Sequence, residues 1–150
     1  MSRWWLGLVM GALACSFPMW LGQLGGENMR QADANVVFVR AVQATNGTWT
    51  FHVTVEHPDT GWEDYADGWD VELPDGTVLK RNPDDPFTRL LLHPHVNEQP
   101  FTRSQSGLVI PEGVTQVTVR AHDLVDGWGG REITVDLTQA TGEGYTVERP

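Results

Sequence analysis

The histidine–proline–histidine segment in the second half of the chain carries the clearest set of candidate metal ligands. His93 and His95 flank Pro94, and Glu98 follows in the run HPHVNE. Residues i and i+2 of an extended chain lie on one face about 6.5 Å apart, so the two imidazoles could share a cation. Pro94 fixes its own φ and favours an extended conformation of His93, which would preorganise the pair. Imidazole suits zinc and copper, and two histidines with one carboxylate are typical of catalytic zinc and non-haem iron sites.

The same segment is also typical of a stiff connection between two strands. Pro94 cannot donate to a sheet ladder, which suits an edge strand or a crossing between strands. Glu98 could pair with Arg103 and hold such a connection in place. In the metal interpretation, further ligands would come from His57, on the inward parity of its strand, or from His122 and Asp123 at the end of another strand. Both interpretations stay open at the level of sequence.

A second segment, GWEDYADGW, combines carboxylates with aromatic side chains. Its acids lack the spacing of an EF-hand loop and are typical of a solvated turn. Trp62 and Tyr65 lie in a predicted loop, where a large aromatic either closes one end of the domain or offers a contact surface for a sugar or a protein. Trp128, in the turn DGWGG, could close the same end. We take Trp62, Tyr65, Trp128 and Arg103 as the candidate residues for binding a ligand or partner.

Composition and motifs narrow the classes of function. The net charge is −10, with 20 acidic against 10 basic residues, which argues against nucleic acid as a partner. The single cysteine, Cys15, excludes an internal disulfide and a cysteine-based zinc site. The chain has no nucleophile elbow, no His-Glu-x-x-His motif and no phosphate-binding glycine loop. We therefore predict a protein that is not an enzyme and has no cofactor, apart from copper or zinc in the metal interpretation.

Alternating apolar and polar residues predict the strands that position these segments. The pattern is clearest in GTWTFHVTVEH, where Trp49, Phe51, Val53 and Val55 share one parity, and WDVELPDGTVLK is typical of a hairpin. Seven or eight such strands, with frequent turn signals, predict an all-β domain, a single immunoglobulin-like antiparallel β-sandwich over residues 35–138. The pattern is lost in residues 139–150, which we expect to form a flexible tail.

The first 34 residues are predicted to lie outside this domain, as an export signal or membrane-anchor helix with a linker. Residues 4–24 are almost entirely apolar and follow Arg3. Three fates are open: lipidation of Cys15 after cleavage behind Ala12-Leu13-Ala14, cleavage behind Ala32-Asp33-Ala34, or retention as a tether. Each of them places the domain outside the cytoplasm, periplasmic or otherwise extracytoplasmic, with membrane contact only through the N-terminal segment.

Three stretches, HPDTGWEDYADGWDV, HPHVNEQPFTRS and RAHDLVDGWGG, resemble a family of small exported bacterial proteins with no assigned function. The resemblance covers most of residues 35–137. It implies export and a single domain, and it implies no reaction, ligand or catalytic residue.

The function predicted from these observations is an exported, non-enzymatic β-sandwich module. It would bind an unknown protein or small ligand through the loops at 56–69 and 81–104. The alternative is a periplasmic copper- or zinc-binding protein that uses the segment His93-Pro94-His95.

Overall fold

The computed structural model describes residues 31–150, and all regular secondary structure within that range is β. The predicted signal or anchor, with Cys15, lies outside the described residues. No helix within residues 31–150 is long and apolar enough to cross a membrane. The strands are β1 (Asn35–Gln43), β2 (Trp49–Glu56), β3 (Ala66–Glu72), β4 (Arg89–Leu90), β5 (Phe101–Leu108), β6 (Gln116–Asp123), β7 (Ile133–Asp136), β8 (Thr141–Gly142) and β9 (Tyr145–Glu148).

These strands form two sheets, which enclose one hydrophobic core. One sheet has the order β5-β2-β1-β9-β8 and the other β4-β3-β6-β7. The predicted all-β class is confirmed, and the arrangement is that of a β-sandwich. The pairing is not antiparallel throughout, because β9 runs parallel to β1. The immunoglobulin-like order of strands stays a prediction.

The inward parity of the strands follows the alternation in the sequence. Trp49, Phe51, Val53 and Val55 of β2 are all buried, and the residues between them are more exposed. The same alternation buries Val117, Val119 and Ala121 of β6. Trp69 of β3 is completely buried at the centre of the core, as its parity predicts. Burial of apolar side chains from both sheets therefore explains why these segments pair as strands.

The predicted hairpin at 69–80 has its turn, but its second arm is not a continuous strand. Its turn is closed by a hydrogen bond from the Leu73 amide to the Thr77 carbonyl, 2.8 Å long, and Gly76 has the positive φ that such turns favour. Beyond the turn, a single bridge joins Glu72 to Val78. The continuous partners of β3 are β4 and β6.

The structure corrects two expectations about irregular segments. Residues 139–150 are not a flexible tail, because β9 lies between β1 and β8 and buries Tyr145 and Val147. Two apolar residues are too few to show a period in the sequence, yet they suffice to hold a strand between two neighbours. The connection 81–104 also contains β4 and the first residues of β5.

Candidate functional site

The segment between β2 and β3 forms a compact turn across one end of the sandwich. We call residues 57–65 the Trp62 turn. Gly61 and Asp64 form a bridge within it, and the Thr60 amide donates to the Asp64 carbonyl at 3.0 Å. Gly61 has φ of 151°, which favours glycine at this position. These bonds give the turn one defined backbone conformation.

The buried carboxylate of Asp59 joins the Trp62 turn to the rest of this end. Its Oδ1 accepts from the Ala66 amide at 3.0 Å and lies 2.6 Å from Nδ1 of His57. Its Oδ2 accepts from the His95 amide at 2.6 Å. A buried carboxylate needs such donors, since burial without them is costly. Asp59 therefore fixes the relative positions of the Trp62 turn, β3 and the histidine–proline–histidine segment.

His57 lies among carboxylates on both sides of its ring, and its side chain is 2% exposed. Its Nδ1 contacts Asp59. On the opposite edge of the ring, Nε2 lies 3.0 Å from Asp33 Oδ1, 3.2 Å from Asp123 Oδ2 and 3.8 Å from Asp64 Oδ1. We call these five residues the His57 cluster. Burial lowers the pKa of His57, but the hydrogen bond to Asp59 and the charges of Asp123, Asp33 and Asp59 outweigh it, so the pKa is raised.

Two carboxylates of the His57 cluster differ in how they are held. Asp123 ends β6, and its Oδ1 accepts from the amides of Val125 and Asp126 at 2.8 Å and 3.1 Å. Burial raises the pKa of Asp123, but these amides and the charge of His57 lower it more, so the carboxylate stays ionised. Asp64 differs, because its Oδ1 is buried and has no hydrogen-bond partner.

His95 occupies a different environment on the other side of Asp59. Its ring stacks on Phe101, with centroids 3.7 Å apart and planes at 9°. Arg103 donates to its Nε2 at 2.8 Å, and because a guanidinium can only donate, Nε2 must be unprotonated. Burial and the charges of Arg103 and His93 lower the pKa of His95, so it is neutral.

The structure does not bring the predicted metal ligands together. His93 is exposed, with its ring centroid 4.5 Å from that of His95, but Arg103 occupies the free lone pair of His95. Glu98 lies on the same guanidinium at 3.5 Å. In residues 31–150, the donors close enough to hold one ion are Asp33, His57 and Asp123. These contacts agree with the interpretation of the segment as a stiff connection between two strands.

His122, another of the predicted ligands, lies on the outer face of the second sheet. Its Nδ1 is 2.6 Å from Asp67 Oδ1, and its ring packs between Phe87 and Trp128. Arg120 completes this group with its guanidinium 4.1 Å from the Trp128 ring centroid. Phe87 lies so close to β3 that a Cβ on Gly68 would stand 2.1 Å from its ring. Trp128 thus belongs to an aromatic group on the sheet surface, and its predicted role at the sandwich end is not supported.

The structure separates the remaining predicted binding residues. Trp62 is 67% exposed, so it does not close the end of the sandwich. Tyr65 supports it edge-on, with ring centroids 5.9 Å apart. Arg103 is engaged by His95, Glu98 and the Thr102 carbonyl, which makes it part of the connection and not a free contact residue.

Sequence reasoning named His57 and Asp123 only as remote ligands for His93 and His95, and it did not group them with Asp33, Asp59 and Asp64. One signal for a separate site was present. Asp123 continues the inward parity of Val117, Val119 and Ala121, so a carboxylate is predicted to point into the end of the core. His57 has the same property in its own segment. Polar residues that continue the inward parity at the ends of strands are a reason to expect buried hydrogen-bond partners for both. The participation of Asp33 has no such signal, because it precedes the first strand.

Comparison with known proteins gives one relevant similarity. The chain is 41% identical over 123 residues to a protein of Halomicrobium mukohataei named "Putative lipoprotein". The aligned part covers 75% of this chain and 57% of the relative, so the chain spans little more than half of that protein. No protein-family model matches the chain, and no solved structure matches it.

Proposed function

We propose that this chain is an exported, membrane-anchored and non-enzymatic β-sandwich that binds a partner molecule through the Trp62 turn. Export and anchoring are supported by the apolar segment 4–24, with Cys15 behind a small-x-small sequence. They are also supported by the similarity to a protein named as a lipoprotein.

The exposure of Trp62 is the observation that carries the binding role. A tryptophan that is 67% exposed leaves a large apolar surface in water, and such surfaces commonly mark interaction sites. The Leu124 amide donates to the Tyr65 carbonyl at 3.1 Å, so the turn after β6 lies against the Trp62 turn. Leu124 and Val125 of that turn are themselves exposed. Trp62, Leu124 and Val125 form what we call the Trp62 surface.

Rigidity makes this surface suitable for binding. The backbone bonds of the Trp62 turn and the hydrogen bonds of Asp59 fix the backbone around Trp62, and Tyr65 contacts the indole edge-on. A preorganised aromatic loses little conformational entropy on association, and tryptophan is enriched among the residues that dominate interface energies. Trp62 is therefore the expected centre of the contact.

The fold also places this surface relative to the point where the chain enters the domain. Asn35, the first residue of β1, pairs with Glu56, the last residue of β2, directly before the Trp62 turn. The chain thus enters the domain at the same end as the Trp62 surface. An anchor at residues 4–24 would therefore connect to the domain at the end that carries the Trp62 surface.

Site-specific crosslinking in intact cells tests this proposal. A photo-reactive amino acid at position 62 of the full chain is expected to give a covalent adduct with a defined partner. The matched control carries the same amino acid at Val109, which is 70% exposed and follows β5 at the opposite end. Equal adducts at both positions, or none at position 62, would contradict the proposal.

A further inference from the structure

A buried imidazole and carboxylates converge on one point beneath the Trp62 turn. His57 Nε2, an oxygen of Asp33 and an oxygen of Asp123 all lie within 4.8 Å of one another. Ligands of zinc lie about 2.0–2.2 Å from the ion, which places two ligand atoms of the same ion about 3–3.5 Å apart. The separations from His57 Nε2 to Asp33 and Asp123 are 3.0 Å and 3.2 Å. We propose that His57, Asp33 and Asp123 bind a divalent transition-metal ion.

The groups around these three residues hold them in the orientation that a metal site requires. Asp59 lies 2.6 Å from His57 Nδ1 and holds a proton on that nitrogen, so Nε2 is the atom that faces Asp33 and Asp123 and would bind the ion after losing its own proton. Metal-binding histidines are usually oriented by a carboxylate or carbonyl in this way. On the other side, the amides of Val125 and Asp126 hold Asp123 Oδ1, which leaves Oδ2 free to face His57.

A proton alone does not satisfy the acceptors at this point. Nε2 can donate one hydrogen, but oxygens of Asp33, Asp123 and Asp64 lie 3.0 Å, 3.2 Å and 3.8 Å from it. Asp64 Oδ1 is buried and has no hydrogen-bond partner in the structure. Buried carboxylates without a donor or counter-charge are costly. A divalent cation would compensate all of them at once, with Asp64 as a fourth ligand or an acceptor for a bound water.

The donor types and the access route define the class of ion. One imidazole with carboxylates and no thiolate suits zinc or manganese, whereas calcium prefers oxygen ligands only and copper(I) prefers sulfur. A cleft of about 290 Å³ opens beside the site and is lined by Asp33, Asn35, Glu56, His57, Pro58 and Gln99. The Asp33 side chain is 54% exposed, so an ion can enter from solvent on that side.

Titration of the full chain, purified in detergent without a histidine tag, tests this site. Zn²⁺ and Mn²⁺ are each added in a calorimeter after treatment with a chelator. We expect one ion per chain, with at least tenfold weaker binding in Asp33→Asn, which removes an exposed ligand and leaves the core intact. The matched control His93→Ala, in the other histidine segment, is expected to bind as the unaltered chain does.

Two results would overturn the site. One is the absence of binding by the unaltered chain at millimolar Zn²⁺ and Mn²⁺, which would make the His57 cluster a buried ion-pair network only. The other is a loss of binding in His93→Ala with none in Asp33→Asn.

If Asp33→Asn fails to fold, a measurement on the unaltered chain still tests the site. Bound Mn²⁺ broadens nearby amide signals in nuclear magnetic resonance spectra, and we expect this at Ala66 and Val125 before Arg103. Broadening centred on Arg103 would contradict the assignment. The metal site and the Trp62 surface are independent, because crosslinking at position 62 and metal titration can each succeed while the other fails.

Discussion

Two buried histidines on either side of one carboxylate behave in opposite ways. His57 and His95 both contact Asp59, through a ring nitrogen in the first case and a backbone amide in the second. Burial lowers the pKa of both rings, but the acids around His57 outweigh it and raise the pKa, whereas the charge of Arg103 lowers the pKa of His95 further. The sign of the surrounding charge, and not burial by itself, therefore decides the direction in which each pKa moves.

The two rings also differ in what their Nε2 atoms contact. Phe101 stacks on the His95 ring, and Arg103 donates to its Nε2, so a positive charge already lies there. His57 Nε2 instead faces several acceptors, one of which has no donor. The acids around His57 are therefore the reason why the proposed metal site lies there and not at His93 and His95.

Asp59→Ala is expected to have the largest effect, because it removes what the two histidines share. The change leaves the His57 ring and the buried amides of Ala66 and His95 without their acceptor. Each orphaned donor costs about 1–3 kcal/mol, so we expect about 3–5 kcal/mol lower free energy of unfolding. Chemical denaturation measures it. The exposed Asp75→Ala, which removes one turn hydrogen bond, is the control and should leave the free energy of unfolding nearly unchanged.

Arg103→Ala is expected to act on the His95 side alone. It removes the donor to His95 Nε2 and the positive charge that lowers the pKa of this ring. We expect the pKa of His95 to rise and the protein to lose about 1–3 kcal/mol of stability. A histidine titration by nuclear magnetic resonance checks both rings. A shift of the His57 pKa as large as that of His95 would show that the two sides are not separate.

The free energy of unfolding should fall both above and below about pH 6.5, and each decrease comes from one of the two histidines. The folded pKa of His57 is raised, so its contribution is complete below the unfolded pKa of about 6.5 and is lost as the pH rises through the folded value. The folded pKa of His95 is lowered, so its contribution is lost as the pH falls below about 6.5. Each pKa unit corresponds to about 1.4 kcal/mol.

Single substitutions show which histidine causes each of the two decreases in stability. In the presence of a chelator, His57→Gln should flatten the loss of stability above about pH 6.5, and His95→Gln should flatten the loss below it. Denaturation curves between about pH 5 and 8 measure both. If one substitution removed the loss of stability in both pH ranges, the histidines would titrate as one coupled pair.

Trp62→Ala is expected to have the smallest effect on stability. The indole is mostly exposed, so we expect a change of less than about 0.5 kcal/mol. The matched variant Trp69→Ala removes the same side chain from the core and should cost about 3–5 kcal/mol. Thermal unfolding compares the two. A large loss in Trp62→Ala would mean that the indole supports the His57 side and is not free for a partner.

The sequence predicts the strands better than it predicts the site, and the reason is the range of the contacts. The alternation in β2 and β6 is local, and it correctly places Phe51 and Val119 in the core. The His57 cluster depends on pairs that are distant in sequence, such as His57 with Asp123 and Asp59 with His95. No local pattern encodes such pairs. The exposure of Trp62 was equally undetermined, because parity has no meaning within a turn.

The parallel pairing of β1 with β9 gives the domain a mechanical property. The chain enters β1 at the end that carries the Trp62 turn and leaves β9 at the opposite end, since Val39 pairs with Tyr145 and Val42 with Glu148. A pull on the two ends of the domain would therefore slide these strands past one another and load their hydrogen bonds together. The bidentate pair between Arg40 and Glu148, with contacts of 2.7 Å and 2.9 Å, crosses the same boundary. A tethered domain built in this way would resist stretching as one unit and would not open strand by strand.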